Sequence, residues 1–116
     1  MKEFGVNVLG QDYTVKCGSP KEVEMSSEFD GQCYNYQKLI KVNTGDNPIC
    51  LDETEDERWG RIKNTVAHEV FHAFCTESGI YLPNDLEEQL AVFYAQQREK
   101  MEDVVQNIFL QLGEEV

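Results

Sequence analysis

Between Thr54 and Gly79 the chain carries both ends of one long helix, and the rest of the fold has to be arranged around it. Thr54 with Glu57 three residues later makes a capping box, and Gly79 after Ser78 suits the left-handed stop that ends many helices. The interval predicts a helix of about 24 residues, weakened only slightly by Gly60 near its start. Ile62, Val66, Val70 and Phe74 recur at i+4 and would give this helix one apolar stripe for a core. A second helix is expected after Pro83, with Asn84 as its N-cap. Leu86, Leu90, Phe93, Gln97, Met101, Val104, Ile108 and Leu112 step by three or four along it, so the C-terminal stretch reads as one long amphipathic helix.

The part ahead of these helices is β-rich. Phe4 to Leu9 and Tyr13 to Cys17 flank Gly10-Gln11-Asp12, which predicts a hairpin. Ser19-Pro20 followed by Lys21 to Met25 reads as a short capped helix, with Gly31 as its end. Gln32 to Asn35 and Leu39 to Asn43 read as a second strand pair, and Thr44 to Pro48 as a turn cluster. No repeat, low-complexity tract or linker divides the chain, so residues 1–116 are expected to form one domain. The expected fold is α+β: a small antiparallel or mixed sheet packed on the first long helix, with the second helix antiparallel beside it. With 116 residues, 41% of them hydrophobic, the chain can bury one modest core.

The first long helix contains His68-Glu69-Val70-Phe71-His72, a His-Glu-x-x-His segment. Residues four apart share a helix face, so two imidazoles can converge on one zinc ion, while the Glu at i+1 can reach the metal's water. His68 and His72 are the only histidines. Shuffling this composition would place them so, with Glu after the first, roughly once in 450 times. The plain alternative is a pair of ordinary helix histidines.

Catalytic zinc takes three protein ligands and keeps a fourth position for water, so a third ligand must be sulfur or carboxylate. Cys75, Glu77, Asp85, Glu87 and Glu88 are the candidates downstream. Cys75 suits His72 but not His68, and Glu77 is expected to face solvent. A carboxylate on the second helix, returning antiparallel through the short Gly79 to Pro83 connection, reaches the site without strain. If Asn84 is the cap, Glu87 is positioned to bond back to it, which leaves Glu88 free and makes it the favoured ligand of the two. Ala91 and Ala95, on the face of Glu88, would let the helices approach closely. The alternative is that both acids are solvated in a first turn that favours negative charge.

The run from His68 to Phe74, the Gly79-Ile80-Tyr81 break and Glu87-Glu88-Gln89-Leu90-Ala91 resemble the small gluzincin-type metallopeptidases, in particular the minimal phage and prophage zinc-peptidase-like proteins related to the ImmA/IrrE group. The similarity covers about residues 30 to 100. In related gluzincins the third ligand is a Glu followed at i+3 by Ala, as at Glu88 and Ala91; Val92 stands where many members have Asp or Asn. The resemblance implies a zinc cofactor held by His68, His72 and Glu88, with Glu69 as general base, and peptide-bond hydrolysis of a peptide or protein substrate. Tyr34, Tyr36, Tyr81 and Tyr94 are unranked candidates for stabilising the oxyanion. Leu39 to Asn43 is expected to be an edge strand that could pair with an extended peptide. A protein of a different class also fits the motif: a catalytically silent zinc-binding regulatory or interaction protein of a mobile element.

Charge and targeting signals narrow the setting. Ten Lys plus Arg against 22 Asp plus Glu give a net charge of −12, which repels phosphate backbones and anionic lipid, so neither nucleic acid nor a membrane is expected as a partner. Met1 to Gly5 begins no apolar signal segment, and no window approaches the length of an apolar span, so a soluble cytoplasmic protein is expected. Cys17, Cys33, Cys50 and Cys75 form no C-x-x-C pair, which excludes a zinc ribbon, and they read as small buried hydrophobes, with Cys75 close to the motif.

Overall fold

The structure, a computed structural model, describes residues 1–46 and 52–113. Strands β1 (Lys2–Val8) and β2 (Gln11–Gly18) form the expected hairpin, but the turn is Leu9-Gly10 rather than Gly10 to Asp12. Leu9 and Gly10 both have positive φ, 50° and 91°. Two such residues give a turn whose twist matches that of paired strands. Asn7 Oδ1 accepts the Gly10 N–H at 2.9 Å and completes it.

Helix α1 (Pro20–Val23) has the Ser19–Glu22 capping box, yet it stops at Glu24, in the left-handed region at φ 56°, well before Gly31. Gly31 instead opens strand β3 (Gly31–Tyr34), which pairs antiparallel with β4 (Leu39–Asn43). Strand β4 also pairs parallel with β2, so the four-stranded sheet runs β1-β2-β4-β3. Leu39–Asn43 is therefore interior, which corrects its assignment as an edge. Among the described residues the strands with one side unpaired are β1 and β3, and β3 is the one beside His68 and His72. The expected turn after β4 is described only through Gly45 and Asp46; Asn47, Pro48 and Cys50 lie outside the described residues.

Helix α2 (Glu55–Ser78) keeps the Thr54–Glu57 box and the Gly79 stop, and α3 (Asn84–Leu112) follows. The sheet is read at a period of two. Val8, Tyr13, Val15, Ile40 and Val42 are buried on the α2 side against Ile62 and Ala73, with Val6, Cys17, Cys33 and Val70 packed around them. Cys17, Cys33 and Cys75 are half-buried free thiols rather than fully buried ones.

The buried line of α2 differs from the stripe of large apolar residues. Ile62, Thr65, Glu69 and Ala73 are buried, whereas Val66 and Phe74 are exposed. The cause is the approach of β3. A Cβ built on Gly31 would lie 2.5 Å from Thr65 Cγ2, 3.1 Å from Glu69 Cγ and 3.1 Å from the Lys41 carbonyl oxygen. Only a residue without a side chain lets the strand lie that close, and the helix turns its short Thr and its Glu toward it.

Two polar clamps hold α2 in this position. Arg61 Nη2 donates to the Gly45 carbonyl at 2.7 Å and Nη1 to the Asn43 carbonyl at 3.2 Å, while Nε meets Glu53 at 3.0 Å. At the other end Glu77 Oε2 accepts from Lys38 Nζ and Tyr13 Oη, each at 2.6 Å. Glu77 thus points inward, not to solvent as expected. The Lys38 ammonium and the Tyr13 hydroxyl hold its carboxyl below the ordinary carboxylate range.

Helix α3 meets α2 through fully buried Ala91 and through Tyr94, whose ring lies 5.6 Å from that of Phe71. Its predicted apolar stripe is not a core face. Leu86, Leu90, Phe93, Met101, Val104, Ile108 and Leu112 are all exposed, because the helix packs by its small residues on a different side. No described helix is long and apolar enough to cross a membrane.

The Gly31 contact yields a direct check. Gly31→Ala should lower stability by about 1–3 kcal/mol, the usual cost of overpacking, because the strand or Thr65 must give way. Thermal denaturation of the purified protein reads this, and an unchanged melting temperature would show that the contact is not tight.

Candidate metal centre

His68 and His72 lie one turn apart on α2, at its border with β3 and α3, each half-buried. Their Nε2 atoms stand 3.3 Å apart. Glu88, on the second turn of α3, brings Oε1 to 2.8 Å from His68 Nε2 and Oε2 to 3.0 Å from His72 Nε2. The three ligand atoms fall within 4.8 Å of one another and could hold a metal ion, and no fourth His, Cys, Asp or Glu joins them among the described residues. Two imidazole nitrogens and a carboxylate at these separations repel one another unless a cation or protons lie between them. The donor chemistry therefore suits a divalent metal with a coordination position left open.

Glu87 takes a part that the sequence reading gave to helix capping. Helix α3 starts one residue earlier than that reading required: Pro83 is the N-cap, with no side-chain cap bond, and its carbonyl accepts the Glu87 N–H at 2.9 Å. Asn84 is already helical, so Glu87 is not drawn back to a cap. Its Oε2 lies 2.6 Å from His72 Nδ1. With the Nδ1 proton donated to Glu87, the Nε2 lone pair of His72 is turned toward Glu88 and His68. Such a partner fixes both the tautomer and the ring direction of a metal-binding histidine. Consecutive acids, about 100° apart around α3, thus bracket the two nitrogens of one imidazole. The signal that could have found this is Pro83, whose fixed φ of −55° suits the residue that starts a helix.

Glu69 is buried beside the cluster, and with His68, His72 and Glu88 it lines a cavity of about 420 Å³. Burial pushes its carboxyl up to about 7, against the pull of His72 and with the help of the Glu88 charge. The opposite wall is β3 and its turn: Gly31, Gln32, Cys33 and Asn35. Cys33 Sγ donates to Asn35 Oδ1 at 3.3 Å, and burial, with Glu69 and Glu87 nearby, pushes the thiol up to about 12. It stays protonated and outside the donor cluster. Cys75 and Asp85 also stay outside it.

None of the four candidate tyrosines lines this cavity. Tyr34 Oη donates to Gln32 on its own strand at 2.6 Å, Tyr94 stacks on Phe71, and Tyr36 and Tyr81 project into solvent. Two amides line the site from β3 and its turn instead: Asn35, whose Oδ1 is engaged by Cys33, and Gln32, whose Oε1 is engaged by Tyr34, which leaves Asn35 Nδ2 and Gln32 Nε2 as the ends that can donate.

The two acids have separable effects. Glu88→Ala should weaken zinc binding by more than 100-fold, since it removes a donor, and Glu87→Gln by about tenfold, since the amide can still accept the Nδ1 proton but holds it less strongly. Competition with a chromophoric chelator measures both; equal losses would show that Glu87 is itself a ligand. Compared with family models, with curated proteins and with solved structures, the chain gives no match.

Proposed function

We propose that this chain is a zinc-dependent peptidase of small gluzincin type, acting on a peptide or protein substrate in the cytoplasm. One observation carries the reading: His68, His72 and Glu88 meet at the rim of a cavity in which Glu69 is buried, under the open side of strand β3. Two nitrogens and a carboxylate form a ligand set of catalytic zinc. Four-coordinate zinc with ~2.0–2.1 Å bonds separates neighbouring donors by about 3.3 Å. The two imidazole nitrogens already stand 3.3 Å apart.

Zinc, when bound, lowers the pKa of a water ligand toward ~7 and polarises a carbonyl oxygen. The remaining steps belong to the chain. Glu69, next in sequence to His68, takes a proton at its carboxylate and returns it to the leaving amine, and its burial keeps bulk water from competing for that proton. Glu87 holds His72 Nδ1, so the imidazole cannot turn away during the reaction. Strand β3 pairs with β4 on one side only, so its other side can align an extended backbone across the cavity. Asn35 Nδ2 and Gln32 Nε2 are donors available to a carbonyl oxygen as it gains charge. Cytoplasmic action is supported by Cys17, Cys33 and Cys75, which are free thiols, as a reducing compartment keeps them.

A second reading is supported by the exposed apolar stripe of α3: a metal-holding interaction protein without turnover. Glu69→Gln separates the two. As a peptidase the variant should keep one zinc per chain and its melting temperature, while cleavage of a peptide library falls by about 10²-fold or more. Wild-type protein that binds zinc and cleaves nothing in the library supports the second reading. Loss of zinc from the variant would show that Glu69 serves the metal and not the reaction.

A further inference from the structure

A second cavity, of about 510 Å³, opens between the N-terminal half of α2 and the middle of α3. Lys63, Arg98 and Lys100 line it, with Gly60, Asn64 and Glu99. In a chain of 22 acids and ten bases, three cations against one acid, Glu99, in a single cleft reverse the overall charge balance. Among the described residues Lys63 and Lys100 have no carboxylate partner, and Arg98 meets only its neighbour Glu99, at 3.4 Å. Arg98 Nε is shielded from solvent and has no hydrogen-bond partner. Three like charges facing one space repel one another, and an anion in that space would relieve the repulsion.

Two further observations point the same way. Gly60 lies in the second turn of α2, inside the helix, where glycine costs up to about 1 kcal/mol against alanine. A Cβ at Gly60 would meet nothing within 4 Å, so no packing contact requires glycine there. Its missing side chain keeps the cleft open. The cleft also lies next to the candidate metal centre: Asn64 lines both it and a smaller cavity that includes His68 and Glu69.

Taking the peptidase reading as given, we propose that this cleft binds an acidic side chain of the substrate, so that the preferred substrates are peptides with Glu or Asp close to the cleaved bond. The spacing sets how close. Lys63 and Gly60 stand five and eight residues from His68, roughly 8–12 Å along the helix axis. An extended peptide covers this in about two to four residues. The overall negative charge does not forbid such a ligand, because at physiological salt fields fade over about 8 Å and the nearest charges in the cleft decide. Three cations are too few to hold a nucleic acid against the rest of the surface, so a peptide carboxylate is the better match.

The test measures binding, independently of turnover. A fluorescein-labelled ten-residue peptide with two adjacent glutamates, and the same peptide with glutamines, are titrated by fluorescence anisotropy into zinc-loaded full-chain Glu69→Gln and into chelator-treated wild type. The glutamate peptide should bind about three- to tenfold more tightly at low salt. The double substitution Lys63→Gln with Lys100→Gln should remove the preference. Gly60→Leu should remove it too while raising the melting temperature, which a loss of fold would not do. Equal affinity for the two peptides, or a preference that survives both variants, overturns the proposal. So does full displacement by inorganic phosphate at the peptide's own concentration, which marks a free-anion site, or by a single-stranded oligonucleotide. A glutamate preference in binding, with zinc-loaded wild type that cleaves nothing in the peptide library, leaves the cleft standing and removes the peptidase reading; cleavage by the wild type that is indifferent to glutamate does the reverse.

Discussion

The site depends on how closely an edge strand can approach a helix. Gly31 sits against Thr65 and Glu69 with no room for a methyl group. That approach rotates α2 so that Glu69 is buried under β3, and it leaves the two histidines at the border between the sheet and α3. Arg61 at one end and Glu77 at the other hold the helix in this rotation through contacts to the ends of the sheet. A helix packed by its largest apolar residues would have turned Val66 and Phe74 inward and moved Glu69 away from the strand. Part of the usual hydrophobic gain is thus absent on this face, and polar clamps set the rotation instead.

The acids on α3 work because the helix is placed by small residues. Ala91 is fully buried, one turn past Glu88, so the helices come close at that level. Glu87 and Glu88 then reach opposite nitrogens of His72 from successive positions. A single donor on α3 would leave the imidazole free to rotate about its own side-chain bonds. The pair removes that freedom, and the price is a second carboxylate, Glu88, held near buried Glu69, an arrangement that favours a cation between them.

Much of this was legible in the residues, and the failures have physical causes. The limits of α2 followed from Thr54, Glu57 and Gly79, because caps are local chemistry. The α+β class and the pairing of His68 with His72 on one helix face followed from periodicity and spacing. Glu88 was reached through a capping argument that the structure does not support, since Pro83 starts the helix. Strand order was not legible: the parallel pairing of β4 with β2 puts β4 inside the sheet, and no local pattern encodes which neighbours a strand acquires. Glu77 read as a surface acid because its partners, Lys38 and Tyr13, are distant in sequence. The cavity wall of Gly31, Cys33 and Asn35 escaped notice for the same reason.

Helix α3 runs unbroken from Asn84 to Leu112, and among the described residues its second half is exposed throughout from Met101 onward. Its closest contact, at Ala91, lies roughly 5 Å along the axis from Glu88 and about 30 Å from Leu112. The helix is therefore a lever with a short arm at the donor cluster and a long arm in solvent. A tilt about Ala91 that moves the Glu88 end by 1 Å sweeps the far end through about 7 Å. Read in the other direction, a large displacement of the free end arrives at the carboxylates reduced about sevenfold, as a fine adjustment of the distances that a metal requires.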